Sequence, residues 1–288
     1  MAFAVGPEPD AGPAAGRPVS HINRMDTADA TAGSVSREHM VLIPAGEFAP
    51  LIRSKDEAER VPVPAFWLDE RPVTNAEFLE FVRQNPRWRR SAVSPLFADA
   101  GYLADWSGDI ELGSAAPAQA PVVRVSWFAA RAFAQAQGKR LPSTAEWERA
   151  AAAGFSTADG GSEPGFKAHV LAWFARPTPE ILPEAGTGRA NFFGARDLFG
   201  LVWEWVDDFN TAMVTGESRA DTGLERDLFC GAGAAGARDP SDYAGFMRAG
   251  YRSSLRARYA VPNLGFRCAA DFPPETAGVP SATPTPSR

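Results

Sequence analysis

Asn191-Phe-Phe-Gly-Ala-Arg-Asp-Leu-Phe-Gly-Leu-Val-Trp-Glu-Trp205 is the stretch that decides how this chain is read. It lies at the centre of a region that, beyond Gly154, reads mostly as loop. Aromatic residues, two glycines (Gly194 and Gly200) and two carboxylates (Asp197 and Glu204) crowd into it. Long irregular connections in a compact domain usually serve a function or are clamped by something. All eight tryptophans fall between Trp67 and Trp205, which marks where the dense core must be.

Working outward, the N-terminal half carries the regular elements. Met40–Phe48 reads as a strand ending in a turn. Val61–Leu68 alternates and contains two prolines, the pattern of an edge strand. Three helices follow. The first, in Pro72–Val82, has Thr74 as N-cap and Glu77 three residues on, a capping box, with Phe78, Phe81 and Val82 on one face. The second, Val125–Gln137, is capped by Ser126 and stopped by Gly138. The third, Leu141–Ala152, pairs Ser143 with Glu146. Later, Asp227–Gly231 and Leu264–Ala269 read as short strands. Residues 1–38 are rich in Ala, Gly, Pro and Ser without an apolar period, and 272–288 are similar, so both ends are expected to be disordered around one domain at 40–271. Gly231–Gly236 lacks the Lys-Ser/Thr of a phosphate loop and reads as turns.

The 288 residues hold 29 basic and 35 acidic side chains, a net charge of −6. A nucleic-acid partner is therefore not expected, because that affinity comes from neutralising phosphates. No apolar run reaches the roughly 18 residues of a membrane span. The first residues have neither a basic segment nor an apolar core, so no secretory signal is expected. The chain is expected to be cytoplasmic, or periplasmic if translation does not start at Met1. Of three histidines, His21 and His39 lie in or beside the polar leader, and His169 reads as a surface or packing residue.

Five motifs in order, Pro72–Phe78, Pro121–Trp127, Gly138–Glu148, Asn191–Trp205 and Asn263–Cys268, resemble the sulfatase-modifying-factor family, whose fold is that of the formylglycine-generating enzyme. The resemblance spans about 40–271. It implies an α+β, C-type-lectin-like fold, loop-rich, with short strands and a few helices. Family members include the sulfatase-activating oxidase, iron-dependent sulfoxide synthases, and accessory proteins found beside siderophore or copper nitrite reductase systems. Segments Phe229–Ala234, Asp242–Arg248, Arg252–Leu255 and Gly200–Asn210 look most like the accessory subgroup beside copper nitrite reductase.

The resemblance also assigns residues. The oxidase's two copper-binding cysteines match Gly250 and Leu255, neither of which offers a sulfur, so copper is not expected there. The family's disulfide positions fall on Ala134 and Ala151, which suits a reducing compartment. The iron-dependent branch needs a three-histidine site, partly from an extra helical domain, and this chain has no such domain and one histidine, His169, outside the leader. One calcium site carries over onto Asp197, Gly200, Val202 and Glu204, two carboxylates and two carbonyls; the alternative is that Asp197 caps a turn and Glu204 pairs with an arginine. Cys230 and Cys268, on strands near the domain centre, are candidate redox thiols; the alternative is two buried, inert thiols. Trp203, Arg252, Ser253, Arg258 and Asn263 match the family's active-site neighbourhood and form a candidate groove for a peptide or carboxylate; alternatively the arginines pair with Asp207, Asp208 or Asp242 and pin loops. The expected function is a non-oxidase accessory or maturation factor that binds a peptide or partner enzyme. Its rival is an oxidoreductase with chemistry relocated to Cys230 and Cys268.

Overall fold

The computed structural model describes residues 37–51, 58–210 and 242–273. Most of the leader and tail, the segment Asp227–Gly231 and Cys230 therefore lie outside the described residues. Strands β1 (Met40–Ile43), β4 (Phe66–Asp69) and β7 (Ala269–Asp271) form an antiparallel sheet in the order β1-β4-β7. Strands β2 (Gly46–Phe48) and β3 (Val61–Val63) make an antiparallel pair, and β5 (Trp203–Glu204) and β6 (Leu264–Gly265) a parallel one. Val61–Leu68 is thus not one edge strand. It breaks at Pro64 into β3 and β4, and β4 is the central strand of its sheet. Pro62 stays in the two-stranded pair, while the proline-free Phe66–Asp69 can donate to ladders on both sides.

Helices α1 (Asn75–Gln84) and α3 (Thr144–Ala151) open on complete capping boxes, Thr74 with Glu77 and Ser143 with Glu146, and α2 (Trp127–Ala136) opens on Ser126. Each box satisfies two amide donors that the helix itself cannot. The apolar face of α1 then meets α2 through Phe78 stacked on Phe133 at 5.8 Å, and both rings meet Phe266 edge-on. Buried Asn75 ties this layer to a loop: its amide donates to the Pro117 carbonyl at 3.0 Å, and its oxygen accepts from Trp106 Nε1 at 3.2 Å. Two further helices have no counterpart in the sequence pattern: α4 (Phe166–Phe174), and α5 (Tyr243–Ser254), which is capped by Asp242.

Residues 191–205 enter the core at their end, where Leu201, Val202, Glu204 and Trp205 are buried, while Phe192 is 53% exposed. Trp205 is fully buried and donates from Nε1 to the Val125 carbonyl at 2.9 Å. Beside it β6 passes so close to Val122 that a Cβ on Gly265 would stand 2.6 Å from the Val122 carbonyl oxygen, so only glycine fits. The result is the loop-rich α+β arrangement with short strands and few helices that the motifs imply. No helix among the described residues is long and apolar enough to cross a membrane.

Candidate functional site

The parallel pair β5–β6 brings Trp203 beside Asn263, because the Trp203 amide donates to the Asn263 carbonyl at 2.8 Å. Helix α5 lies against them. Its Tyr251 ring stacks on Trp203 with centroids 4.1 Å apart and planes 22° apart, and its hydroxyl donates to Asn263 Oδ1 at 3.3 Å. Helix α4 closes the other side with Trp173 at 5.0 Å and Phe174 at 5.5 Å from Trp203. All four rings are half-buried, and the Asn263 amide stands at the edge of the cluster. Burial under Trp203 pushes the Tyr251 hydroxyl well above its ordinary pKa, so it remains a neutral donor.

Two members of the sequence-derived groove belong here and the others do not. Trp203 and Asn263 share the surface. The Ser253 hydroxyl turns back to the Gly250 carbonyl at 3.0 Å, and Arg258 is exposed on the chain after α5. Arg252 is the correction. It is only 8% exposed, its guanidinium lies over Trp147 at 4.9 Å, and it donates to Glu148 at 2.6 Å. Arg248, one turn earlier, donates from Nε and Nη2 to the same carboxylate at 2.9 Å. Burial alone would push Glu148 up, but these two guanidiniums outweigh it and hold the carboxyl at about 2. The arginines therefore pin α5 to α3 through Glu148. Asp207, Asp208 and Asp242 are engaged elsewhere: with Arg131, with Thr144, and as the cap of α5. The sequence signal for this clamp was the four-residue spacing of Arg248 and Arg252, which shares a face only once the segment is known to be helical.

Around Asp197 and Glu204 the side chains are committed. Asp197 takes a left-handed backbone (φ 59°) and its carboxylate accepts the amides of Gly186 and Gly188 at 2.5 and 3.0 Å. Gly200 turns the chain at φ 118°, a conformation natural only to glycine, and Val202 is buried. The Glu204 side chain is fully buried. It accepts from Arg267 Nε and Nη2, each at 2.8 Å, and from Trp147 Nε1 at 2.8 Å. Arg267 sends its remaining N–H groups to the carbonyls of Asp69, Glu70 and Arg196. All five guanidinium donors thus meet an oxygen. These residues do not fit a calcium ion bound through Glu204. The ion would sit against a buried guanidinium and displace its bonds. Among the described residues no three His, Cys, Asp or Glu side chains meet as ligands. Differential scanning calorimetry with and without excess EGTA tests this: an unchanged unfolding midpoint agrees with a Glu204 committed to Arg267, and a lowered one shows that an ion binds.

Cys268 is a fully buried free thiol. Its amide donates to Asp69 Oδ2 at 2.9 Å, and Asp69 Oδ1 accepts from Lys139 at 2.7 Å. Burial pushes the thiol well above its usual pKa, and the Asp69 charge adds to this. Such a group is a poor nucleophile and a poor metal ligand. Its proposed partner Cys230 lies outside the described residues.

The chain is similar to proteins of one known family. A family model described as the sulfatase-modifying factor enzyme 1-like domain matches residues 26–272. The formylglycine-generating enzyme of Streptomyces coelicolor is 30% identical over 293 residues, covering 82% of this chain and 90% of that enzyme. The hercynine oxygenase of Mycolicibacterium smegmatis is 33% identical over 196 residues, covering 58% of this chain but only 44% of that protein. Among solved structures, PvdO from Pseudomonas aeruginosa is 20% identical with a TM-score of 0.44, covering 81% of this chain and 94% of that one.

Proposed function

Because the chain belongs to the sulfatase-modifying factor enzyme 1-like family, we propose that it is a non-oxidase member, an accessory factor that binds an extended peptide segment of a partner enzyme on the surface around Trp203 and Asn263. The observation that carries this reading is the state of positions 250 and 255. Gly250 sits in the last turn of α5 and has no side chain, and Leu255 is packed into the main core at 8% exposure. Cuprous chemistry needs soft thiolate ligands at such positions. Cys268, buried with a raised pKa, supports relocated redox chemistry poorly. An iron-dependent oxygenase has less support still: its three-histidine site has no counterpart here, because His21 and His39 lie in or beside the leader and His169 packs against Phe155 with arginines for charged neighbours.

What this surface can do is bind. Half-buried tryptophan and tyrosine faces supply contact area at low entropic cost. The Asn263 side-chain amide carries two N–H donors, suited to the carbonyls of an extended chain. The clamp of Glu148 on Arg248 and Arg252 fixes α5, and with it Tyr251, before any ligand arrives.

The deciding experiment offers the copper-loaded protein a Cys-x-Pro-x-Arg peptide in air and reads the peptide by mass spectrometry. Unmodified cysteine is the expected outcome. Formylglycine in the product overturns the proposal.

A further inference from the structure

A strip of aromatic rings continues from Trp203 away from Asn263. Ring centroids step from Trp173 to Phe199 at 6.1 Å, from Phe199 to Phe166 at 6.2 Å, from Phe166 to Phe155 at 6.0 Å, and from Phe155 to the His169 ring at 5.0 Å. The five rings are half-buried or exposed. Each residue of the strip, from Tyr251 on α5 to His169 on α4, therefore keeps some exposed surface.

Its far end is bordered by cations. The Arg189 guanidinium stands 4.3 Å over the Phe155 ring, and Arg176 follows α4, its amide bonded to the Trp173 carbonyl at 3.1 Å. Both are exposed, and neither side chain makes an ion pair or hydrogen bond among the described residues. His169 faces both. Partial burial first, then these two guanidiniums, hold its pKa below the ordinary histidine value, and no carboxylate acts against them. The chain as a whole carries a net charge of −6, and carboxylates stand near by: Glu163 accepts the Ser156 amide and Asp197 the Gly188 amide, leaving the two guanidiniums themselves unpaired among the described residues. Elsewhere arginines sit on carboxylates: Arg71 on Glu77, Arg140 on Glu146, Arg196 on Glu70.

We infer that this strip receives an acidic peptide, with the chain laid along the rings from Tyr251 to Phe155 and carboxylates paired with Arg176 and Arg189. The inference rests on the peptide-binding reading above and adds the chemistry of the partner. Guanidinium forks bind carboxylates in a two-point geometry. The one held over Phe155 is already placed, so less freedom is lost on pairing. The rings contribute area without sequence preference, leaving charge to select the ligand.

A synthetic peptide array tests it. Extended peptides of equal length and equal aromatic content are compared in acidic, neutral and basic forms, and hits are confirmed by fluorescence anisotropy. Acidic peptides are expected to bind best, and raised salt to weaken them. The double variant Arg176→Glu/Arg189→Glu should bind them at least about tenfold more weakly. Trp203→Ala should reduce every class, with Trp203→Phe retaining binding and circular dichroism confirming the fold of each variant. Equal binding of basic or neutral peptides, or no effect of the double reversal, overturns the acidic assignment. If neutral peptides bind and remain sensitive to Trp203→Ala, the groove stands and only its charge selectivity fails. If no class binds, or binding ignores Trp203, the groove reading falls with it.

Discussion

Replacing Arg267 with methionine is expected to destabilise the protein by about 3–5 kcal/mol, which for a domain of this size lowers the unfolding midpoint by about 10 °C. The Arg267 side chain is fully buried and all its donors are used. Removing the guanidinium leaves the Glu204 carboxylate in the interior with the Trp147 indole as its one remaining donor among the described residues, and takes from the carbonyls of Asp69, Glu70 and Arg196 the donors they had. An uncompensated buried charge is the costly product. For that reason the double variant Arg267→Met/Glu204→Gln should recover part of the loss, although the orphaned carbonyls keep it below wild type. Arg267→Lys should not rescue, because one ammonium cannot reach oxygens arranged for a planar fork. Thermal unfolding of the three variants checks this. Equal midpoints for Arg267→Met and wild type would show that the pair contributes nothing.

The second large effect is acid sensitivity through Glu148. Its folded pKa of about 2 lies below the ordinary value of 4.5. The unfolded chain therefore takes up the proton first as pH falls. The ionised clamp contributes about 3 kcal/mol, fully present above pH 5 and lost progressively between about pH 4.5 and 2. Glu148→Gln should remove that part of the pH dependence and lower stability at neutral pH, since two buried guanidiniums would then face a neutral amide. The effect should be local as well. Amide exchange is expected to speed up across Tyr243–Ser254, while Asn75–Gln84 and Trp127–Ala136 stay protected. Hydrogen–deuterium exchange mass spectrometry of both proteins at pH 7 and pH 3 reads it. Because Tyr251 rides on α5, the same variant should weaken peptide binding without touching the aromatic surface itself.

Glu204 and Arg252 both have partners far along the chain, beyond what local sequence can name. Glu204 was open to either an ion or an arginine. Its partner lies 63 positions away at Arg267, and nothing local in Trp203-Glu204-Trp205 names it. Arg252 was placed in a groove or on a nearby aspartate, and it pairs with Glu148, 104 positions earlier. Helix α4 carries little local signal, because it is apolar nearly all round and opens on Gly165 without a side-chain cap. Helix α5 carries little because Gly245 and Gly250 interrupt an otherwise helical face. Local signals fared better. Thr74 with Glu77 and Ser143 with Glu146 satisfy their helix ends from three residues away, so their effect is written in adjacent positions.

By itself, the sequence determined the family, the loop-rich α+β class, the three capped helices, the absence of sulfur at positions 250 and 255, and the acidic balance of the chain. Each of these depends on residue identity or on spacings of a few residues. Only the tertiary structure decided that β4 is central, that Arg267 is committed to Glu204 and Arg252 to Glu148, and that Tyr251, Trp203 and Trp173 share one face with Asn263 at its edge. Those outcomes depend on contacts between distant segments, where burial makes an unpaired charge too costly to leave and so selects one partner from many that composition allows.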